Sequence, residues 1–220
     1  MKTLLVATTN RGKLVEISAI LDGVPFEILT LADFPGIAAP EETGRTFSEN
    51  ARAKAIYYAQ ATGALTVAED SGLEINALDG APGVESARYG GADASYPEKF
   101  VRIYDALRAR HTADSPARRA EALSGGGARF VCALALASSR VLFEATGVIE
   151  GQIAPEPKGE GGFGYDPIFF YPPFGVTLAE AGDRKSAVSH RGHAFRALRT
   201  FLLSGRLRQT QPPDVGLGGR

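Results

Sequence analysis

The chain has 220 residues, of which 44% are hydrophobic, and a formal net charge of −1. This length suits one compact domain or two closely packed lobes, and the small net charge argues against a general attraction to nucleic acid or to an anionic membrane. The one cysteine, Cys132, excludes a disulfide within the chain, and no apolar run reaches membrane-spanning length. We therefore expect a soluble cytoplasmic protein.

The first part of the chain alternates predicted strands with predicted helices. Leu4–Ala7 and Phe26–Leu29 are short apolar runs that are typical of strands. Between them, apolar residues recur at helical spacing and predict a helix that begins near Gly12, with capping side chains in Thr8-Thr9-Asn10. Thr46-x-x-Glu49 is a capping box, and it predicts a second, alanine-rich helix.

Carboxylates interrupt the next predicted strand. Leu65–Ala68 has strand character, Glu69-Asp70-Ser71-Gly72 breaks it, and β-prone residues resume over Leu73–Ala77. Ser95-x-x-Glu98 then predicts the start of a third helix. The polar stretch Arg108–Gly127, which is rich in serine and glycine at its end, predicts a loose connector.

The last part of the chain contains clustered strands and one more helix. Phe130–Ala137 and Val141–Ile149 predict an antiparallel hairpin, and Ser189 is the predicted cap of the final helix. We expect Gly205–Arg220 to be a disordered tail. Alternating helices and strands followed by clustered strands predict an α/β or α+β fold with a mixed sheet.

The first group of residues that could carry chemistry is Thr8-Thr9-Asn10-Arg11-Gly12-Lys13. Free backbone N–H groups and the positive end of the helix dipole attract anions at a helix start, and the side chains here add further donors. The alternative is a simple helix cap whose charged side chains are solvated.

The second group is acidic. Glu69 and Asp70 follow a strand, and carboxylates near a core are costly unless they are paired or bound to a metal. Oxygen ligands suit Mg²⁺, which in turn binds phosphate oxygens, and a carboxylate beside the ion could deprotonate a water. Glu41 and Glu42 form a second acidic loop that could complete the metal shell. The alternative for both segments is a solvated surface turn.

The third group combines a glycine-rich loop with cations. Gly159–Gly164 formally matches a dinucleotide-binding motif, but β-prone residues follow it instead of a helix, so we reject that interpretation. Phe163 could offer a flat face to a planar ring, and Asp166 could accept hydrogen bonds from the edge of that ring. Lys185 and Ser189–Arg191 add donors. The set predicts a site for a planar base attached to an anion, and an ordinary loop beside an exposed helix start is the alternative.

Six motifs in one order resemble the inosine triphosphatase (HAM1-like) family, over roughly Lys2 to Leu203. They are Thr8-Thr9-Asn10-x-Gly12-Lys13, Glu41-Glu42-Thr43-Gly44-x-Thr46-Phe47-x-Glu49-Asn50-Ala51, Glu69–Leu73, Gly80-Ala81-Pro82-Gly83 with Ser86-Ala87-Arg88-Tyr89, Gly161–Phe169 and Lys185–Gly192. Each motif is weak alone, but their combination and order are specific.

The resemblance implies a fold, a reaction and a cofactor. The implied fold is an elongated mixed α/β structure with two lobes around a central cleft, usually assembled as a homodimer. The implied reaction cleaves non-canonical purine nucleoside triphosphates, such as ITP, dITP and XTP, to the monophosphate and pyrophosphate, with Mg²⁺. On this basis we expect residues 1–204 to form one two-lobed domain, with the nucleotide as its partner and neither nucleic acid nor membrane.

The resemblance also implies roles for individual positions. Asp70 would be the catalytic base and a metal ligand, Ser71 would contact the substrate, and the loop with Glu41 and Glu42 would supply metal ligation. The triphosphate would be held by Thr8, Thr9, Asn10, Arg11, Gly12 and Lys13. The base and the phosphate next to it would be enclosed by Phe163, Gly164, Tyr165, Asp166, Lys185, His190 and Arg191.

Two other functions stay open at this point. One is a nucleotide-binding sensor without turnover, although Lys13, Glu69 and Asp70 argue against it because a pure binder needs no base beside a metal. The other is a different magnesium phosphohydrolase that acts on modified pyrimidine nucleotides. Product analysis with a panel of nucleotides distinguishes all three.

Overall fold

Seven strands form one mixed sheet in the computed structural model, which describes residues 2–113 and 127–207. The strands are β1 (Lys2–Val6), β2 (Phe26–Thr30), β3 (Thr66–Ile75), β4 (Gly127–Ala137), β5 (Val141–Ile153), β6 (Phe169–Tyr171) and β7 (Val176–Thr177). Their order in the sheet is β2-β1-β3-β4-β5-β6-β7. β1 pairs in parallel with β2 and β3, and the other pairs are antiparallel. The expected mixed sheet is confirmed.

Helices flank this sheet. Those of the described residues are α1 (Arg11–Ile20), α2 (Phe47–Thr62), α3 (Tyr96–Ala113), α4 (Arg184–Val188) and α5 (His190–Leu203). The predicted caps are present, because Asn10 Oδ1 accepts from the Lys13 N–H at 3.1 Å, and Thr46 and Glu49 form the reciprocal capping box. Ser189 Oγ accepts from the Gly192 N–H at 2.9 Å. None of the helices within the described ranges is long and apolar enough to span a bilayer.

Two predictions of element boundaries were wrong. β3 is not interrupted at Glu69–Gly72, because it pairs with β4 residue by residue from Thr66 to Ile75. The antiparallel ladder satisfies the backbone along one edge, and opposite charges on other elements pair with the acidic side chains. α3 also continues past Arg108 to Ala113, so the connector is shorter than predicted. The rest of that predicted connector, residues 114–126, lies outside the described residues.

The other edge of β3 is partly open, and this opening positions the site. β1 pairs with β3 only at Leu5↔Thr66 and Val6↔Val67, and the chain then turns away toward α1. Farther along, the turn that contains Ser86 approaches β3, and Ser86 Oγ accepts from the Leu73 N–H at 3.0 Å. That approach requires glycine at position 72, since an added Cβ would meet Ser86 Oγ at 2.2 Å. Between these two contacts, side chains from both faces of the sheet can reach one gap.

The buried core has three parts. One lies between the sheet, α1 and α5, and it includes Ile17, Phe195 and Leu198. A second lies under α2 on the opposite face of the sheet, and a third lies around α3 and the far ends of β3 to β6. Leu207 is 5% exposed and packs in the first part. The remainder of the predicted tail, residues 208–220, lies outside the described residues.

Candidate active site

A cleft of about 310 Å³ opens at the free edge of β3. It collects residues that are far apart in the sequence, from the loop before α1, from β3, from the glycine-rich loop and from α4 and α5. The predicted site residues that line it are Thr8, Thr9, Asn10, Lys13, Glu42, Ser71, Phe163, Gly164, Tyr165, Asp166, Lys185, His190 and Arg191. These residues are far apart in the sequence, and the structure shows that they meet in one cleft.

Four other predicted residues do not line the cleft. Arg11 and Glu41 are exposed, so the structure does not bring them to the other site residues. Gly12 lies behind the lining, where the nearest atom to an added Cβ would be Cδ1 of Phe163 at 2.9 Å. Asp70 is buried, with 6% exposure, next to lining residues that include Lys54. Position 12 therefore needs glycine so that the Phe163 ring can pack against α1.

Glu69 and Asp70 point to opposite faces of the sheet, because successive side chains of a strand alternate. Glu69 contacts Lys13 of α1 and Arg191 of α5. Asp70 contacts Asn50 and Lys54, both of α2. Two adjacent carboxylates are thus placed in separate environments that meet at the same open edge.

On the Glu69 face, the carboxylate is almost completely buried and pairs with two cations. Lys13 Nζ lies 2.9 Å and Arg191 Nε 3.3 Å from Glu69 Oε1. Burial alone would raise the pKa of Glu69, but the charges of Lys13 and Arg191 outweigh it and hold the pKa well below its usual range. Arg191 is 1% exposed, and one of its amino groups donates to Ser71 Oγ at 3.0 Å. These contacts therefore favour the ionised form of Glu69.

On the Asp70 face, the neighbouring lysine and amide offset the cost of burying the carboxylate less completely. Asn50 Nδ2 donates to Asp70 Oδ2 at 2.9 Å, and Lys54 Nζ lies 3.3 Å from Asp70 Oδ1 while also pairing with Glu42. Burial raises the pKa of Asp70, and Lys54 and Asn50 only partly oppose that shift. Arg88 donates to the Glu42 backbone carbonyl at 3.3 Å and so helps to fix the acidic loop beside Lys54. This face holds a carboxylate that is more basic than its neighbour.

The glycine-rich loop is braced by Asp166. Its Oδ2 accepts from the Phe163 N–H at 2.8 Å and from Lys185 Nζ at 2.7 Å. The Phe163 ring lies beside two cations, with Lys185 Nζ 4.6 Å and Arg191 Cζ 5.4 Å from its centroid. Tyr165 donates from its hydroxyl to the Ser86 carbonyl at 2.8 Å and anchors the other end of the loop. One oxygen of Asp166 is thus committed to shaping the loop.

His190 occupies the floor of the cleft as a neutral side chain. Its ring stacks on Phe130, with centroids 4.8 Å apart. Burial, with the nearby charge of Arg191, lowers the pKa of His190 well below its ordinary value. Among the described residues, His190 Nδ1 is the one buried side-chain nitrogen or oxygen without a hydrogen-bond partner. A buried polar atom without a partner is costly, and a ligand in the cleft could satisfy it.

Several residues at the site did not emerge from the sequence. Lys54 bridges Glu42 and Asp70, and Glu16 bridges Lys185 and Arg191. Both lie on helices that carry recognised motifs, about one turn after the last motif residue, which is Lys13 for Glu16 and Ala51 for Lys54. The i, i+4 relation of Asn50 to Lys54 and the i, i+3 relation of Lys13 to Glu16 were available signals. Neither relation identifies a partner on a distant element.

The donor set fits a magnesium ion that is shared with a phosphate ligand. Within residues 2–113 and 127–207, no cluster of three or more acidic, histidine or cysteine side chains is arranged as a complete metal cage. Mg²⁺ is usually held by one or two carboxylates together with substrate phosphates, so a complete cage is not needed. Glu42 and Asp70 lie on either side of Lys54 Nζ and provide carboxylate oxygens of the required kind.

Known proteins share both the sequence and the fold. The model of the Ham1 family matches residues 4–201. A protein of Geobacter sulfurreducens named dITP/XTP pyrophosphatase is 45% identical over 206 residues, which cover 92% of this chain and 97% of that protein. A protein of Listeria monocytogenes with the same name is 43% identical and covers 92% of this chain, with 96% of its own length aligned.

Solved structures give the same result. A HAM1 protein from Coxiella burnetii superimposes with a TM-score of 0.82 at 39% identity, over 93% of this chain and all of that one. The dITP/XTP pyrophosphatase of Mycobacterium abscessus superimposes with a TM-score of 0.67 at 36% identity, over 93% of this chain and 97% of that one.

Proposed function

The chain belongs to the Ham1 family, and we propose that it hydrolyses non-canonical purine nucleoside triphosphates, dITP and XTP among them, to the monophosphate and pyrophosphate. It is a nucleoside-triphosphate pyrophosphatase, whose activity removes such nucleotides before they enter DNA or RNA. The observation that carries this proposal is the cleft, in which a helix start with Lys13, a buried pair of carboxylates and an aromatic loop with two cations share one opening.

The triphosphate is assigned to the start of α1. Thr8, Thr9, Asn10 and Lys13 line this end of the cleft, and the backbone N–H groups of a helix start favour an anion. Lys13 is 20% exposed as a side chain, whereas its partner Glu69 is 2% exposed. Lys13 can therefore turn toward a phosphate while Glu69 stays paired with Arg191. Arg11 is exposed and has a smaller place in this proposal than the sequence predicted.

The base is assigned to the opposite end of the cleft. Phe163 offers an aromatic face, and Arg191, Lys185 and neutral His190 offer polar atoms beside it. Hypoxanthine, xanthine and guanine present a 6-oxo acceptor, whereas adenine presents an amino donor there. A buried donor facing that position would lose its partner with adenine, and an unpaired buried polar group costs about 1–3 kcal/mol. This end therefore selects against ATP.

Asp70 is the proposed general base. A carboxylate with a raised pKa accepts a proton more readily than one with a lowered pKa, and paired groups with divergent pKa values commonly divide acid–base roles. Asp70 meets this condition and Glu69 does not. Asp70 would take a proton from the water that attacks the α-phosphorus, and the bond to the bridging oxygen of pyrophosphate breaks. Glu69 would stay ionised and hold Lys13 and Arg191 in place.

Mg²⁺ is the proposed cofactor, held by Glu42 and Asp70 together with phosphate oxygens. When bound, the ion supplies neutralisation of phosphate charge and a fixed orientation of the phosphates. Lys54 lies between the two carboxylates and would then be free to contact a phosphate. Glu41 is exposed, so we assign metal binding in this loop to Glu42.

The decisive experiment is a substrate panel with product analysis. The purified protein is incubated with ITP, dITP, XTP, ATP, GTP and modified pyrimidine triphosphates, with magnesium and with a chelator. We expect pyrophosphate and the monophosphate from ITP, dITP and XTP only when magnesium is present. Binding without any product would support a sensor, and a preference for pyrimidines would support the other phosphohydrolase. Initial release of a diphosphate and orthophosphate would contradict the assigned reaction.

We also propose that the chain acts as one two-lobed domain over residues 1–204, assembles as a homodimer and works in the cytoplasm. Membership of the Ham1 family supports the single domain and the homodimer, and the nucleotide substrate supports the cytoplasmic location. Analytical ultracentrifugation of the full chain checks the assembly, and a sedimenting mass of 23.2 kDa, that of one chain, would contradict it.

A further inference from the structure

We propose that Tyr96 is a specificity-determining residue, whose hydroxyl donates a hydrogen bond to the 2-oxo group of xanthine. Tyr96 is the first residue of α3, and its side chain lines the cleft. It lies beside Gly164, which directly follows Phe163 in the glycine-rich loop. The proposal rests on the function proposed above, since it assumes that the base lies at the Phe163 end of the cleft.

The ring of Tyr96 is held in place by its neighbours. It packs edge-on against Tyr165, with centroids 5.3 Å apart, and at a tilt against Phe100, with centroids 6.3 Å apart. Lys99 is buried, its Nζ lies 4.7 Å from the centroid of the Tyr96 ring, and it donates to the Ala87 carbonyl at 2.6 Å. These contacts use the ring and not the hydroxyl, so within the described part of the chain they leave the hydroxyl available to a ligand.

The hydroxyl of Tyr96 faces the glycine-rich loop as a protonated group. A Cβ added at Gly164 would lie 3.6 Å from Tyr96 Oη, so the hydroxyl lies close to the backbone of the loop. Burial and the charge of Asp166 raise the pKa of Tyr96, and the charge of Arg191 partly opposes them. The hydroxyl therefore keeps its proton at neutral pH and can donate it to an acceptor on the ligand.

Polar groups reach the Phe163 end of the cleft from two directions. Lys185 and Arg191 come from α4 and α5, and the function proposed above places them at the 6-oxo group. Tyr96 comes from α3, and the charge of Arg191 acts on its hydroxyl. Because the 2- and 6-positions of a purine flank N1 on one edge, a donor beside these cations can reach the 2-position. Xanthine carries an oxygen there and hypoxanthine carries only hydrogen, so the hydroxyl favours xanthine.

The test compares two ligands that differ at position 2 of the base. Xanthosine monophosphate and inosine monophosphate share the 6-oxo group, the ribose and the phosphate. Their dissociation constants are measured by calorimetry, at one magnesium concentration, for the unaltered chain and for Tyr96→Phe. We expect Tyr96→Phe to weaken xanthosine monophosphate about three- to tenfold more than inosine monophosphate, which is the usual net effect of one hydrogen bond.

The ratio of kcat/KM for XTP to that for ITP should fall by the same factor in Tyr96→Phe, because the substitution removes only the hydroxyl. Tyr104→Phe is the matched control, since it removes a hydroxyl from the same helix. The Tyr104 hydroxyl donates to the Ala154 carbonyl at 3.0 Å, and neither residue lines the cleft. This control should leave both ratios unchanged. Retained binding of inosine monophosphate shows that Tyr96→Phe is folded.

Equal weakening of the two monophosphates, or no change in either, would overturn the role of Tyr96. The ratio of kcat/KM for ITP to that for dITP is measured as well. A change in that ratio alone would mean that the hydroxyl contacts the ribose, and this result would also overturn the proposal. These failures differ from failure of the proposed function, which would appear as absence of ITP and XTP hydrolysis and of monophosphate binding in the unaltered chain.

Discussion

Glu69 and Asp70 are consecutive residues of β3, but they face different helices and their pKa values are displaced in opposite directions. Glu69 lies between Lys13 and Arg191, whose charges overcome the cost of its burial. Asp70 has the amide of Asn50 and a lysine that it shares with Glu42, and here burial prevails. The alternation of a strand therefore places two neighbouring carboxylates in separate environments. We propose that Glu69 holds the site together and that Asp70 accepts the proton.

Asp70→Asn should have the largest effect on activity and little effect on stability. A positioned general base contributes about 10²–10⁴-fold to rate, so kcat for ITP should fall by that factor. The burial of the Asp70 charge is only partly compensated, so its removal should leave the melting temperature unchanged or slightly higher. Kinetics and thermal unfolding are measured together. Asp105→Asn, on the exposed surface of α3, is the control.

A folded Asp70→Asn protein with near-normal kcat would remove Asp70 from the catalytic role. If, in addition, Glu69→Gln abolished turnover, the assignment of the two faces of β3 would have to be exchanged.

Glu69→Gln should produce the opposite result, with a large loss of stability. Breaking a buried ion pair costs about 3–5 kcal/mol, and we expect the lower value, about 3 kcal/mol, because Arg191 keeps Glu16. The melting temperature should then fall by about 6–12 °C. Glu74→Gln on the same strand is the matched control, since its pair with Arg129 is 22% and 47% exposed and should contribute less than about 1 kcal/mol. Equal losses in the two variants would contradict the structural role of Glu69.

The sequence predicted the elements better than it predicted the contacts. Caps at Asn10, Thr46 and Ser189 gave correct helix starts because capping is a local interaction. The supposed break at Glu69 arose because a carboxylate run was interpreted as a turn. The charges that stabilise Glu69 in the strand come from Lys13, which lies 56 residues earlier in the chain, and from Arg191, which lies 122 residues later.

The predictions of site residues show the same difference between local sequence signals and long-range contacts. Motifs identified most of the cleft lining, but they could not distinguish Glu41 from Glu42, because adjacent loop residues differ only in orientation. Lys54 and Glu16 were missed for a related reason, since each becomes significant only through partners on other elements. Side-chain direction and long-range pairing depend on the assembled sheet, and a single sequence does not display them.

The two glutamates of the acidic loop provide the smallest expected effect. Glu42 lines the cleft, and its carboxylate pairs with Lys54 on the Asp70 face, whereas Glu41 is exposed. Glu42→Gln should therefore raise the magnesium concentration that gives half-maximal activity by about tenfold, the lower end of the effects seen on altering groups around a metal. Glu41→Gln is the matched control and should change it less than about twofold, since its charge is screened by solvent.

The same pair of variants also separates metal binding from a general electrostatic effect. Loss of the Glu42 charge leaves Lys54 with Asp70 as its remaining carboxylate partner among the described residues, so kcat at saturating magnesium should fall as the basicity of Asp70 falls. A Glu42→Gln protein with a lower kcat but an unchanged magnesium requirement would mean that Glu42 acts on Asp70 through Lys54 and does not bind the ion. A larger effect of Glu41→Gln would mean that the loop must turn over when the nucleotide binds, and the Asp70 face would then be assembled only in the complex.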